Sequence, residues 1–190
     1  MDALSRAEIR EALEEQSDEL KRNRVKGRLY LAGGAAIALA FRDSRRTYDL
    51  DALILEGHGP VTEAARRVGR RRGWPETWLN EEATAFLPTT SDHRAQTVFG
   101  SSHLIVTAAS AEHLPAMKVR AGRLQDLPDI EILAESLGIR SVAEVLEIHD
   151  EVFPRNPVPV GARERVEQFL ANRWQDDSSL DSDTRNRPLC

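Results

Sequence analysis

Two aspartates, Asp49 and Asp51, stand two residues apart in the stretch DLDALIL. The stretch begins polar and turns apolar, as a strand does on entering a core, and alternate residues of a strand project from the same face. Carboxylates held side by side repel each other, so the pair costs stability until a cation or hydrogen-bond donors come between them. Hard oxygen donors of this kind suit Mg²⁺ or Mn²⁺, ions that combine one or two carboxylates with substrate phosphates. Upstream, Gly33 and Gly34 interrupt an apolar run. Glycines that end a strand and open a helix leave backbone N–H groups bare at the positive helix end, where a phosphate can approach. Thr47, two before Asp49, is a candidate to touch those phosphates, with ordinary strand-edge filling as the alternative. Either motif alone is more often a plain turn; together, one short helix apart, they are far more specific.

The elements that must position these groups are legible in part. Ser5 with Glu8 matches a capping box, which predicts an amphipathic helix through Ile9, Leu13 and Leu20. A buried strand over 28–32, a helix over 35–41, a strand over 49–55 and a helix over 60–72 follow, Pro60 suiting a helix start. The stretch 73–101 is turn-rich, with a short strand over 85–88. Strands over 97–100 and 103–107 come next, turning at Gly100-Ser101-Ser102. The period then becomes helical over 111–123, 127–137, 141–150 and 162–174. The expectation is an α+β fold: a mixed-sheet lobe over 1–110, a helical C-terminal lobe over 111–174, and a disordered acidic tail over 175–190.

Composition narrows the class. At 190 residues, 41% hydrophobic and 30% charged, the chain has the balance of a soluble globular protein. Its longest apolar run, residues 29–41, is too short to span a bilayer, and the acidic start MDALSRAEIR is unlike a secretory signal. The single cysteine, Cys190, rules out an internal disulfide framework and fits a cytoplasmic setting. A net charge of −5 argues against bulk attraction to nucleic acid. Between Val61 and Gly73, however, Arg66, Arg67, Arg70, Arg71 and Arg72 face one acid, Glu63. That run is a candidate contact for RNA phosphates, against a solvated helix face as the alternative. Trp74 and Trp78 are read as packing residues rather than base-stacking ones. The five histidines show no ligand spacing.

LAGGAAIALA followed by RRTYDLDALI resembles the signature of the polymerase β superfamily of nucleotidyltransferases. WLNEEATAFLP and IVTAASAEHLPAMKVRAGRLQDLPDIEIL resemble blocks of the AbiEii/MenT-type toxins within it, the block AMKVRAGRLQDLPDI most of all. The resemblance implies a nucleotidyltransferase-like fold and the toxin of a toxin–antitoxin pair. Such an enzyme transfers a nucleoside monophosphate, often a pyrimidine one, from a nucleoside triphosphate to the 3′ end of tRNA. It implies Mg²⁺ or Mn²⁺ at Asp49 and Asp51, phosphate contacts at Gly33 and Gly34, and a cognate antitoxin. It also gives Lys118, Asp126 and Asp129 catalytic places, Lys118 binding the nucleotide as well. From the residues alone, Lys118 in an otherwise apolar helix either reaches a cleft or, the favoured reading, snorkels to solvent, and Asp126 stands at the place of an N-cap with Asp129 reinforcing the first turn. Many superfamily members carry a third carboxylate on a later strand, and VFGSSHLIV holds no acid. The alternatives are transfer to a small molecule or a protein, or a non-catalytic nucleotide-binding module.

Overall fold

The computed structural model of the chain describes residues 2–183. It divides into two compact units, Met1–Ser110 and a second beginning at Ala111. In the first, α1 (Arg6–Arg22) starts where Ser5 accepts from Glu8 N at 3.3 Å and Glu8 returns a carboxylate to Ser5 N at 2.8 Å. β1 (Gly27–Leu31) leads through α2 (Gly33–Ala40) to β2 (Leu50–Glu56), and α3 (His58–Arg72) leads to the two-residue β3 (Leu79–Asn80). β4 (Gln96–Gly100) and β5 (Leu104–Ala108) close the unit. The sheet is mixed, in the order β3-β2-β1-β5-β4, with β1–β5 and β2–β3 parallel and β1–β2 and β4–β5 antiparallel.

Burial alternates along the strands as a one-sided sheet requires. Leu29, Leu31, Leu50, Ala52, Leu104 and Val106 are buried on the side where α1, α2 and α3 pack. Tyr30, Asp51, Leu53, Ile105 and Thr107 share the more open side, in the register that pairs Tyr30 with Leu53 and with Thr107. Trp78 is 1% exposed and donates its indole N–H to Ala65 O at 2.7 Å, with Trp74 edge-on against it, so both tryptophans pack α3.

Two elements differ from the sequence reading. The expected strand over 85–88 is a 3₁₀ helix, Glu82–Phe86, because Asn80 Oδ1 and Glu81 O accept from Glu82 N and Thr84 N and coil the chain there. β3 was hidden in the tryptophan-bearing connector, since two residues are too short for a period.

The second unit is helical: α4 (His113–Ala121), α5 (Leu127–Ser136), α6 (Val142–Val152) and α7 (Val160–Asp183). Val119, Ile130, Leu133, Ala134, Val145, Val166 and Leu170 form its interior. α7 continues to Asp183 where the sequence reading ends a helix at residue 174, so residues 175–183 are helical rather than disordered; the expectation for 184–190 falls outside the described residues. Among the described residues no helix is long and apolar enough to cross a membrane.

Inside this unit His149 has no exposed surface; its Nδ1 lies 3.0 Å from Asp150 Oδ1, its ring stacks on Phe153, and its Nε2 is buried without a partner. Burial pushes the imidazole below its ordinary value, against the opposing pull of Asp150. The folded chain therefore binds fewer protons than the unfolded one below the ordinary value of about 6.5. Stability should fall as pH drops through that value toward the lower folded one. Urea unfolding monitored between pH 7.5 and pH 5 should show this loss, and His149→Leu should flatten it; an unchanged slope in the variant would contradict the assignment.

Candidate active site

Asp49 ends the loop before β2, and Asp51 is the second residue of the strand. Both are half-buried and flank the fully buried Leu50. Asp51 is the cross-strand partner of Asn80, so their side chains leave the same face. Asn80 Nδ2 in turn donates to Asp49 Oδ2 at 3.1 Å, which brings Asp49 to that face as well. The two carboxylates thus stand together. Asn80 supplies one donor to Asp49, and its own Oδ1 is fixed by Glu82 N at 2.8 Å.

Gly33 and Gly34 open α2, whose cap residue Ala32 offers no side-chain hydrogen bond. A side chain at Gly33 would place its Cβ 2.6 Å from Asp51 Oδ2, and Gly33 has φ +63°, so only glycine brings the backbone this close to the acid. At Gly34 a Cβ would meet Thr47 Oγ1 at 2.7 Å and approach Arg45 Nη2 at 3.6 Å. The structure therefore brings together Asp49, Asp51, Thr47, Gly33 and Gly34, as the sequence spacing suggested. Thr47 itself is 7% exposed and donates to Asp49 O at 3.1 Å, while its backbone pairs with Leu4. Its visible role is to fix the loop that delivers Asp49.

Lys118 on α4 does not snorkel. It is 7% exposed, with Nζ 2.6 Å from Asp126 Oδ1 and 2.9 Å from Asp129 Oδ2. Asp126 does precede α5 but makes no capping hydrogen bond, because its carboxylate turns to the ammonium instead. Lys118, Asp126 and Asp129 are one ion cluster of the helical unit.

The α3 arginines are matched by acids. Arg71 reaches Glu19 at 2.6 Å, Arg72 reaches Glu15 at 2.7 Å, Arg67 reaches Glu63 at 3.1 Å, Arg70 reaches Glu63 at 3.7 Å, and Arg66 reaches Glu76 at 3.9 Å. Burial alone would raise the carboxyl of Glu19, yet hydrogen bonds from Arg71 and Arg22 hold it below the ordinary range. An RNA phosphate would have to displace these partners. The sequence shows the cations as a run with Glu63 alone among them, while Glu15 and Glu19 of α1 and Glu76 of the connector lie outside it, which is why most of the pairing was invisible.

No family model, curated protein or solved structure matches the chain.

Two polar residues escaped the sequence reading. Asn80 had a faint signal, an Asn two residues before an acidic turn. Asp92 had less: its Oδ2 accepts from Tyr30 Oη at 2.7 Å and Ser110 N at 2.9 Å, tying the loop before β4 to the ends of β1 and β5. Burial, then the Asp92 carboxylate, push the Tyr30 phenol well above its ordinary value, so it stays a donor. Among the described residues no three His, Cys, Asp or Glu side chains gather as a metal cluster. Asp49 and Asp51 are a pair, with further coordination left to a ligand.

The Lys118 cluster yields a stability prediction. Lys118→Met leaves Asp129, whose side chain is 3% exposed, without this ammonium. Unfolding free energy in urea should drop by about 3 kcal/mol or more. An unchanged midpoint would mean that the cluster is not sealed from water.

Proposed function

We propose that the chain is a metal-dependent nucleotidyltransferase with a nucleotidyltransferase-like sheet lobe. It acts in the cytoplasm as the toxin of a toxin–antitoxin pair. Its reaction moves a nucleoside monophosphate, a pyrimidine one, from a nucleoside triphosphate to the 3′ end of tRNA, and a cognate antitoxin restrains it. The observation that carries the reading is the convergence of Asp49 and Asp51 on the face beside Gly33, at the uncapped start of α2. The resemblance of LAGGAAIALA and RRTYDLDALI to the superfamily signature supports it further.

The donor set fits a divalent ion: two hard carboxylates, no sulfur or imidazole, and neighbouring bare backbone where phosphates can supply the remaining oxygens. A Mg²⁺ or Mn²⁺ ion held there by Asp49 and Asp51 would lower the pKa of the acceptor hydroxyl and offset triphosphate charge. The chain's own part is positional. The N–H groups of Gly33 and Gly34 face the phosphates with no side chain between. Thr47 and Asn80 hold Asp49 in place, through its backbone carbonyl and its carboxylate respectively. The acceptor oxygen bonds to the α-phosphorus in line with the departing oxygen, the α–β bridge breaks, pyrophosphate leaves, and the hydroxyl proton passes to solvent. The residues that carry this reading all belong to the first unit.

The protein incubated with magnesium, total tRNA and each α-labelled nucleoside triphosphate should label the tRNA 3′ end. Asp49→Ala should lower the rate by at least about a hundredfold while keeping the wild-type melting temperature or raising it, because one of two crowded charges is gone. Undiminished labelling by the variant would refute the role of the pair. Label on the protein or on a small molecule would refute tRNA as acceptor.

A further inference from the structure

Arg71 and Arg72 of α3 and Arg46 of the loop before Asp49 differ in how tightly a carboxylate holds them. On α3 the tightest arginine–carboxylate distances are 2.6 and 2.7 Å. In the loop RDSRRTY, residues 42–48, Asp43 is taken by Arg6 at 3.2 Å. The carboxylate beside Arg46 is Glu8, at 4.0 Å, and that same Glu8 oxygen already accepts from Ser5 N and Ser5 Oγ at 2.8 and 2.6 Å. Arg46 Nη1 donates to Ala3 O at 3.0 Å, a neutral acceptor, and its side chain is 61% exposed.

Beside it stands Tyr48, 69% exposed. A large ring on a surface loop is ordinarily mobile, and mobility weakens it as a binding platform. Here the backbone is pinned on both sides. Leu4 N donates to Thr47 O at 2.6 Å, Thr47 N donates to Leu4 O at 3.1 Å, and Thr47 Oγ1 donates to Asp49 O at 3.1 Å. The ring is therefore carried on fixed chain, one residue from the Asp49 carboxylate. An exposed aromatic on anchored chain with an arginine two residues away is the pairing that single-stranded nucleic acids use, base on ring and phosphate on cation.

We propose that Arg46 and Tyr48 bind the single-stranded 3′ end of the acceptor nucleic acid, one base stacking on Tyr48 and a neighbouring phosphate pairing with Arg46. The naming of that strand as acceptor rests on the transferase reading; the binding surface does not. The surface takes the place of the α3 arginines, whose engagement would first require breaking their carboxylate pairs.

Anisotropy of a short fluorescent single-stranded RNA, measured in EDTA without nucleoside triphosphate, reads binding apart from transfer. Tyr48→Ala should weaken binding about tenfold and Tyr48→Phe should restore it, because stacking needs the ring and not the hydroxyl. Arg46→Gln should lower the slope of log affinity against log salt by about one. Arg71→Gln with Arg72→Gln should leave affinity within about twofold, as expected of cations held by carboxylates at 2.6 and 2.7 Å. Single-stranded DNA of the same sequence should bind comparably or more weakly, and a blunt RNA duplex much more weakly. Wild-type affinity in Tyr48→Ala, a larger loss from the α3 pair than from Arg46, or duplex binding equal to single-strand binding would each overturn the proposal. An Asp49→Ala protein that still transfers label but shows the Tyr48 dependence would overturn the catalytic reading and leave this one standing.

Discussion

Like charges do not share a strand face without compensation, and the first unit is organised around one such pair. Strand alternation turns Asp51 out from the core to which Leu50 and Ala52 are committed, and the Asn80 amide draws Asp49, the last residue before the strand, to the same side. Much of the surrounding detail follows from that. Asn80 donates to one carboxylate, and Gly33 makes room for the other where any Cβ would stand 2.6 Å from its oxygen. Thr47 pins the incoming loop to both Leu4 and Asp49. Several local concessions, a positive φ and a helix start without a capping side chain among them, serve an arrangement that a core would not require.

Elsewhere the chain neutralises its charges internally. The α3 arginines meet glutamates of α1, of α3 itself and of the connector, and Lys118 meets Asp126 and Asp129 within the helical unit. The exposed pairs among these, such as Arg67 with Glu63 and Arg66 with Glu76, contribute little each, about 0–1 kcal/mol. Their consequence is electrostatic: a run of five arginines projects far less field than its count suggests. Arg46, in the loop before Asp49, has only the Ser5-bonded Glu8 carboxylate near it at 4.0 Å, and it and the anchored Tyr48 face solvent. Charge availability, not charge density, separates the two stretches.

Strong local signals were readable in the sequence. The capping box at Ser5, the glycine turn, the alternation through DLDALIL and the hairpin at Gly100-Ser101-Ser102 each rest on interactions within a few residues. The co-location of Asp49, Asp51, Gly33, Gly34 and Thr47 was legible for the same reason, since one short helix spans the gap. What stayed hidden depends on partners beyond one helical element. Whether Lys118 snorkels is decided by Asp126 and Asp129, and whether Arg71 is available is decided by Glu15 and Glu19, more than fifty residues upstream. β3 owes its strand character to a neighbour, pairing Leu79 and Asn80 with Leu50 and Asp51, and so carries no pattern of its own.

The claim that Asp49 and Asp51 act as one divalent-ion site is tested most directly by Mn²⁺ titration. The free ion is followed by electron paramagnetic resonance in the presence of a non-hydrolysable nucleoside triphosphate analogue. The wild-type chain should bind Mn²⁺ saturably, and Asp49→Asn and Asp51→Asn should each lose most of that affinity while keeping the native circular dichroism spectrum. Retention of wild-type Mn²⁺ affinity by the doubly substituted chain would contradict the account.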